Sequence, residues 1–239
     1  MICALKLIFC LGGNRIYPAL AAAAGWWHGA RLPIPLYVDH LAFAAQQWTR
    51  FDGLRPGDVR YDHAYQRYIT ALSTAQPDMA SVIDWTAERT RDEVLSWAVE
   101  AACHVRRQVL IIPKVPDVIG SIPREIGGKC IALGYSVPTR HGATPVDPAE
   151  FAGWPVHLLG GNPRQQIHYA GLLTTHGAKI ISADGNLINK AAGKGTFWEH
   201  GRCRNLGARV LTTEEALRRS LVSVPQMWRN AGWEIEVPA

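Results

Sequence analysis

Short, unbroken apolar runs rich in β-branched residues alternate along this chain with stretches whose apolar residues recur at helical spacing. The runs are LKLIFC (5–10), PLYV (35–38), MASVID (79–84), QVLIIPK (108–114), KCIALGYSV (129–137), PVHLLGG (155–161) and AKIISAD (178–184). A strand with one wet face alternates apolar and polar residues. These runs are mostly continuous, which predicts strands covered on both faces. Between them RIYPALAAAAGWW, YDHAYQRYITALSTA and TRDEVLSWAVEAACHV carry helical patterns, as do segments 163–173 and 185–193. In the third, Val94, Leu95, Ala98, Ala101 and Ala102 share one face, while Arg91, Asp92 and Glu93 open the first turn.

Strands alternating with helices predict a parallel sheet joined by right-handed crossovers. Seven or eight such units in 239 residues predict an α/β fold in the form of a compact (β/α)8 TIM-type barrel, regular or degenerate, with an open doubly wound sheet as the alternative. No GxGxxG follows the first run, so dinucleotide binding lacks support. No repeat, low-complexity tract or linker divides the chain, so residues 1–239 are expected to form a single domain. TTEEALRRSLVSVPQMWRNAGW opens with a Thr/Glu capping pattern and predicts a C-terminal helical extension from residue 212 onward. The long connection from Ala42 to Asp62, rich in Trp, Arg, Asp and Gly, is a candidate lid or partner loop.

A hydrophobic share of 48% with 19% charged residues suits a chain that buries a full core. The net charge of +5 permits an anionic partner, but the basic residues are spread out rather than gathered in a tail. Cys3, Cys10, Cys103, Cys130 and Cys203 form no CxxC pair, which speaks against a disulfide framework or a zinc site and for a reducing cytoplasm. The first apolar run is broken by Lys6 and too short to span a bilayer, so no membrane association is expected.

In barrels the chemistry gathers at the C-terminal strand ends. Here those positions hold Asp84 and Trp85; Lys114; Gly134, Tyr135 and Ser136; His157, Gly160, Gly161 and Asn162; Ser182, Asp184 and Asn186. Each has a plainer reading: Asp84 as a helix cap, Asp184 before Gly185 as a turn residue, His157 as a core histidine, the two glycines as a tight turn. Lys114 at a strand end either faces the pocket or pairs with a carboxylate.

The order of these groups resembles tRNA-guanine transglycosylase and its DNA-acting relatives, the phage and bacterial 7-deazaguanine DNA transglycosylases. Asp84, Gly134, HLLGG (157–161) and Asp184 fall in the order of that family's base-contacting acid, glycine-bearing strand, glycine-rich segment and nucleophilic aspartate, and CLGGNR (10–15) echoes its DSGGFQ turn. The resemblance covers Leu5 to Asn189. It implies base exchange in DNA, or tRNA as the second choice, in a bacterial or phage-infected cytoplasm. A free 7-deazaguanine base would be the second substrate, with a protein partner as a further expectation.

Under it Asp184 is the nucleophile, steadied by Ser182 and Asn186, and Asp84 reads the base edge. Trp85 or Tyr135 stacks on the ring, the Gly160 and Gly161 amides contact base or phosphate, and Arg140, Arg164, Lys190 and Lys194 grip the backbone. Two departures stand out. The family's zinc cysteines are missing, EHGRC supplying only His200 and Cys203, so no cofactor is expected. Cys10 stands where the family has an acid, with Asp39 as the candidate substitute. Two other readings remain: a small-molecule barrel lyase or aldolase using Lys114 as a Schiff-base amine, and a non-catalytic nucleic-acid-binding barrel.

Overall fold

The computed structural model describes residues 4–10, 20–21, 23–29, 37–38, 56–139, 142–185, 187–207 and 210–237. Asp39, Arg140, Asn186 and most of the 42–62 connection lie outside them. The strands are β1 (Leu5–Cys10), β2 (Trp27–Gly29), β3 (Tyr37–Val38), β4 (Met79–Ser81), β5 (Gln108–Ile111), β6 (Glu125–Ile126), β7 (Lys129–Ser136), β8 (Pro155–Leu159), β9 (Lys179–Asp184), β10 (Phe197–Glu199), β11 (Arg202–Arg204) and β12 (Ile235–Glu236). The α-helices are α1 (Val59–Ala75), α2 (Arg91–Ala102), α3 (Pro163–Thr175), α4 (Leu187–Ala192) and α5 (Thr213–Asn230).

All the strands from β1 to β9 except the short hairpin strand β6 run parallel, in the order β1-β2-β3-β4-β5-β7-β8-β9. The sheet curls far enough for β9 to pair with β1, Lys6 lying opposite Ser182 and Ile8 opposite Asp184. The curl is uneven. The β5–β7, β7–β8 and β8–β9 ladders are long, whereas among the described residues one registered pair, Gly29 with Tyr37, joins β2 to β3. The fold is thus α/β as expected, with a curled parallel sheet, a half-barrel thin along its β2–β3 side rather than a closed (β/α)8 TIM-type barrel.

The expected regular alternation fails for a local reason. The β5-to-β7 crossover carries Pro113, Pro116 and Pro123, and the β7-to-β8 crossover Pro138, Pro145 and Pro148. Proline lacks the helical N–H and crowds the preceding turn, so these connections contain short 3-10 turns instead of α-helices. The helices that do form are well signposted. Thr90 caps α2, while Asn162 with Gln165 and Thr212 with Glu215 make capping boxes at α3 and α5. The helix after the 42–62 connection begins at Val59, capped by Asp58, so the last residues assigned to that connection are helical.

Two apolar layers result. Leu5, Leu7, Leu133, Tyr135, Val156, Leu158, Ile180 and Ala183 point from the sheet into the main core against the helices. Ile8, Met79, Leu110, Ile112 and Ala132 form a smaller cluster on the inner face of the curl. The C-terminal segment is no appendage: Leu217, Leu221, Val224 and Trp228 of α5 sit in the main core, and the chain then adds β12 beside β1.

Between α1 and α2 lies a buried polar knot. Arg89 meets Glu93 at 2.5 Å, Tyr61 donates to Glu93 at 3.1 Å, and the Trp97 indole N–H donates to the Tyr61 hydroxyl at 2.7 Å. Burial pushes the Tyr61 hydroxyl up to about 12. The Tyr68 hydroxyl donates to the Ser81 carbonyl at 2.6 Å and so ties α1 to β4.

Candidate active site

Side chains alternate along a strand, so ladder partners of like parity form rows across the inner face. One row reads Gly134, His157, Ser182 and Lys6; the next, toward the C-terminal ends, reads Ser136, Leu159, Asp184 and Ile8. A bulge makes this possible. Val156 pairs with Ile180 but His157 pairs with Ser182, leaving Ile181 as the extra residue. Ile180 and Ala183 face the outer core, and the bulge turns Ser182 and Asp184 to the inside with His157.

The three polar groups touch in series. His157 is fully buried, with Nδ1 2.7 Å from Ser182 Oγ and Nε2 3.5 Å from Asp184 Oδ1. Asp184 is 8% exposed and accepts from the Gly160 N–H at 3.3 Å. Ser182 therefore reaches Asp184 through the imidazole, a role different from the direct support expected. The Gly160–Gly161 pair has positive φ at both residues, and a Cβ on Gly161 would meet Val137 at 2.5 Å, so a side chain there is strained and crowded. This turn aims the Gly160 amide at Asp184.

Gln166 of α3 was not singled out from the sequence. Its amide donates to the Gly160 carbonyl at 2.8 Å and to the Asp184 carbonyl at 2.5 Å, clamping the ends of β8 and β9. A buried glutamine one turn into a helix that follows GGNP was the available signal. Asn162, expected to contact substrate, is occupied as the cap of α3, accepting from Gln165 N–H at 2.9 Å.

A second polar group stands at the head of β7. The Lys114 ammonium donates to the Ser136 hydroxyl, and the Ser136 N–H donates to Thr144 Oγ1 at 2.8 Å. Burial pulls the Lys114 amine below the usual lysine range, and the nearby Asp84 carboxylate partly restores it. Lys114 thus both faces the inner rim and feels a carboxylate, joining the two roles that the sequence left open. Thr144 was also missed, for its partner lies across a proline-containing loop. Gly134 contributes by absence: a Cβ there would meet Ile112 at 2.7 Å and Leu159 at 2.8 Å, so those side chains pack into its place beneath Ser136.

Two expected stacking groups are on the wrong side. Tyr135 faces the helices, 5.4 Å from the Phe151 ring and 5.6 Å from Tyr169, and burial raises its hydroxyl to about 12. Trp85 is buried in the same core, and its backbone bridges to Pro113. Tyr135 faces outward because strand parity places it opposite Ser136; Trp85 lies past the end of β4, where the alternation has already broken, Val82 and Ile83 both joining the main core. Arg164, Lys190 and Lys194 are solvent-exposed, Arg164 in the first turn of α3 just past the head of β8. Among the described residues no group of three His, Cys, Asp or Glu side chains gathers as a metal site. At the opposite, N-terminal mouth of the curl lies a chamber of about 460 Å³ whose lining includes Lys6, Asp78, Arg107, Cys130 and Ser182.

Fold and site together define a parallel α/β protein whose polar groups collect at the C-terminal ends of β5, β7 and β9, on the inner face of a curled sheet. The chain belongs to a family of unknown function, DUF6610, whose model matches residues 23–229. No curated protein matches it. Among the described residues no helix is long and apolar enough to cross a membrane.

Proposed function

We propose that this protein is a pentosyltransferase that exchanges guanine in DNA, with tRNA as the second choice, for a 7-deazaguanine such as preQ0 through a covalent aspartyl intermediate. The observation that carries the reading is Asp184: a carboxylate at the head of β9, held by the Gly160 N–H, 3.5 Å from a buried histidine and in the same ladder row as Ser136. The curled sheet is then a degenerate (β/α)8-type barrel, with its chemistry at the usual end.

In the first half-reaction an Asp184 carboxylate oxygen bonds to the anomeric carbon as the bond to guanine breaks, and guanine leaves with the electron pair and takes up a proton. In the second, the ring nitrogen of the incoming base attacks the same carbon, loses its proton, and releases Asp184. The sugar never meets water. Asp84, Lys114 and Ser136 supply the polar edge for the base, where unmatched donors and acceptors discriminate strongly. Asp39 remains the candidate for the proton transfer that the family's acid performs. A duplex hides its glycosidic bonds, so the target nucleotide is flipped out or single-stranded, with Arg164, Lys190 and Lys194 on its backbone.

The test is incorporation of labelled 7-deazaguanine base into DNA and, separately, into tRNA by the wild type and by Asp184→Ala. Incorporation into one polymer that vanishes in the variant is the expected result. No incorporation by folded wild-type protein into either polymer, with no salt-sensitive binding to them, overturns the reading.

One observation favours a second reading. Burial lowers the amine pKa of Lys114, which sits beside Ser136 on the inner rim, and a lowered amine pKa is what a Schiff-base lysine needs. Borohydride trapping of a carbonyl compound on Lys114 would select this lyase or aldolase chemistry.

A further inference from the structure

His157 is counted among the strand-end site residues, with a core histidine as its plainer reading; in the structure its two ring nitrogens face groups with different hydrogen-bonding abilities. A carboxylate only accepts, a serine hydroxyl does either, and a neutral imidazole has one donor nitrogen and one acceptor. If Nδ1 carried the proton, the Nε2 lone pair would point at the Asp184 carboxylate from 3.5 Å inside a fully buried site. That repulsion is poorly screened away from water. The Nε2–H tautomer and the imidazolium both avoid it, and the tautomer leaves Nδ1 to accept from Ser182 at 2.7 Å.

We propose that His157 is a positioning residue for Asp184: it presents a proton on Nε2 to the carboxylate in both ionisation states, and the Ser182 hydroxyl fixes the tautomer by donating to Nδ1. The consequence for catalysis rests on reading Asp184 as the reacting group; the tautomer does not. The Gly160 N–H and His157 Nε2 both face Oδ1, so the two contacts together fix the plane of the carboxylate. At 3.5 Å the imidazole contact is longer than an ordinary hydrogen bond, a spacing that commonly tightens when substrate fills a site.

Among the described residues, these charged groups lie near the ring. On β9 it is Asp184; on β7 the ladder partner is the uncharged Gly134; on β1 Lys6 stands beside Ser182 with its ammonium 3.2 Å from Glu236; and Lys114 reaches Ser136 one row nearer the rim.

The experiment uses the full chain with nitrogen-15-labelled histidine, the His157 ring being identified by its absence in His157→Gln. Ring nitrogen shifts across pH are expected to show a protonated Nε2 throughout and an unprotonated Nδ1 whenever the ring is neutral. Ser182→Ala is expected to mix the tautomers. A neutral wild-type ring with its proton on Nδ1, or shifts unmoved by both Ser182→Ala and Asp184→Asn, overturns the proposal.

The exchange assay adds a second readout. Glutamine can place an N–H where Nε2 stands, so His157→Gln is expected to retain activity within about tenfold, while His157→Leu loses about 100-fold, in kcat rather than KM. Equal losses in the two folded variants overturn the positioning role. If His157→Leu does not fold, the nitrogen shifts decide alone. If the wild type itself exchanges no base, the reading of Asp184 as a nucleophile fails while the shifts still decide the tautomer.

Discussion

Two buried polar clusters invite comparison: the knot of Arg89, Glu93, Tyr61 and Trp97 between α1 and α2, and the row of Ser182, His157 and Asp184 inside the curl. Both remove charge from water, which is tolerable only when hydrogen bonds replace the lost hydration. In the knot the groups close on one another, with an ion pair of 2.5 Å and a tyrosine bridging the acid and the indole, and Arg89 also lies 5.6 Å over the Tyr61 ring. In the row the contacts lengthen toward one end, from 2.7 Å at Ser182 to 3.5 Å at Asp184, and that end lies at the strand heads. A closed cluster stabilises a helix pair. A cluster that loosens toward a rim holds a group ready for something else.

Substitution should separate the two most sharply. Asp184→Ala is expected to lower base exchange by at least about 1,000-fold with little change in melting temperature. Arg89→Met should do the reverse: stranding Glu93 between the helices costs about 3–5 kcal/mol of stability, read from denaturant midpoints, with exchange per folded molecule unchanged. A large loss of exchange in folded Arg89→Met would erase the distinction.

Smaller effects sharpen it. Removing the hydroxyl in Tyr61→Phe takes away the Trp97 acceptor and the Glu93 donor, for about 1–2 kcal/mol. Because the folded Tyr61 hydroxyl titrates near 12, above its unfolded value, its stabilising contribution is present below pH ~10 and is lost as pH rises from there toward 12. Absorbance near 295 nm should show a late-titrating tyrosine that disappears in the variant.

Lys114 gives the smallest effect, with the opposite sign. Its folded pKa lies below the unfolded one, so its linkage contribution is fully present above pH ~10.4 and lost as pH falls through the folded value. Lys114→Met should therefore raise stability at neutral pH, and the gain should shrink on the alkaline side. Amine labelling should find Lys114 deprotonated at a lower pH than a free lysine amine.

The sequence was most informative where local chemistry decides the outcome. The LKLIFC run became β1 from Leu5 to Cys10, and the Thr and Glu pattern at residues 212–215 became the capping box of α5. What it could not reveal depends on register. The bulge at Ile181 leaves no composition signal, yet it alone puts Ser182 and Asp184 on the face of His157. Tyr135 and Trp85 stand at strand ends, where a sequence predicts stacking groups; parity turns Tyr135 into the core, and the break in alternation after β4 does the same for Trp85. The short strands β2, β10, β11 and β12 have two or three residues each, too few for a periodicity to register.

The last of these strands bears on how the molecule is made. Leu5 and Lys6 pair with Ile235 and Glu236, and residues 6–8 pair with residues 182–184, so most of the neighbours of β1 lie far away along the chain. During synthesis, a nascent chain carrying β1 waits for β9 and then β12 to be made before those bonds can form. Such large contact order slows folding and leaves an early apolar strand in search of a partner. A ribosome pausing before Trp233 would hold out a nearly finished sheet with one side of Leu5 and Lys6 still unzipped, the point at which a chaperone would matter most.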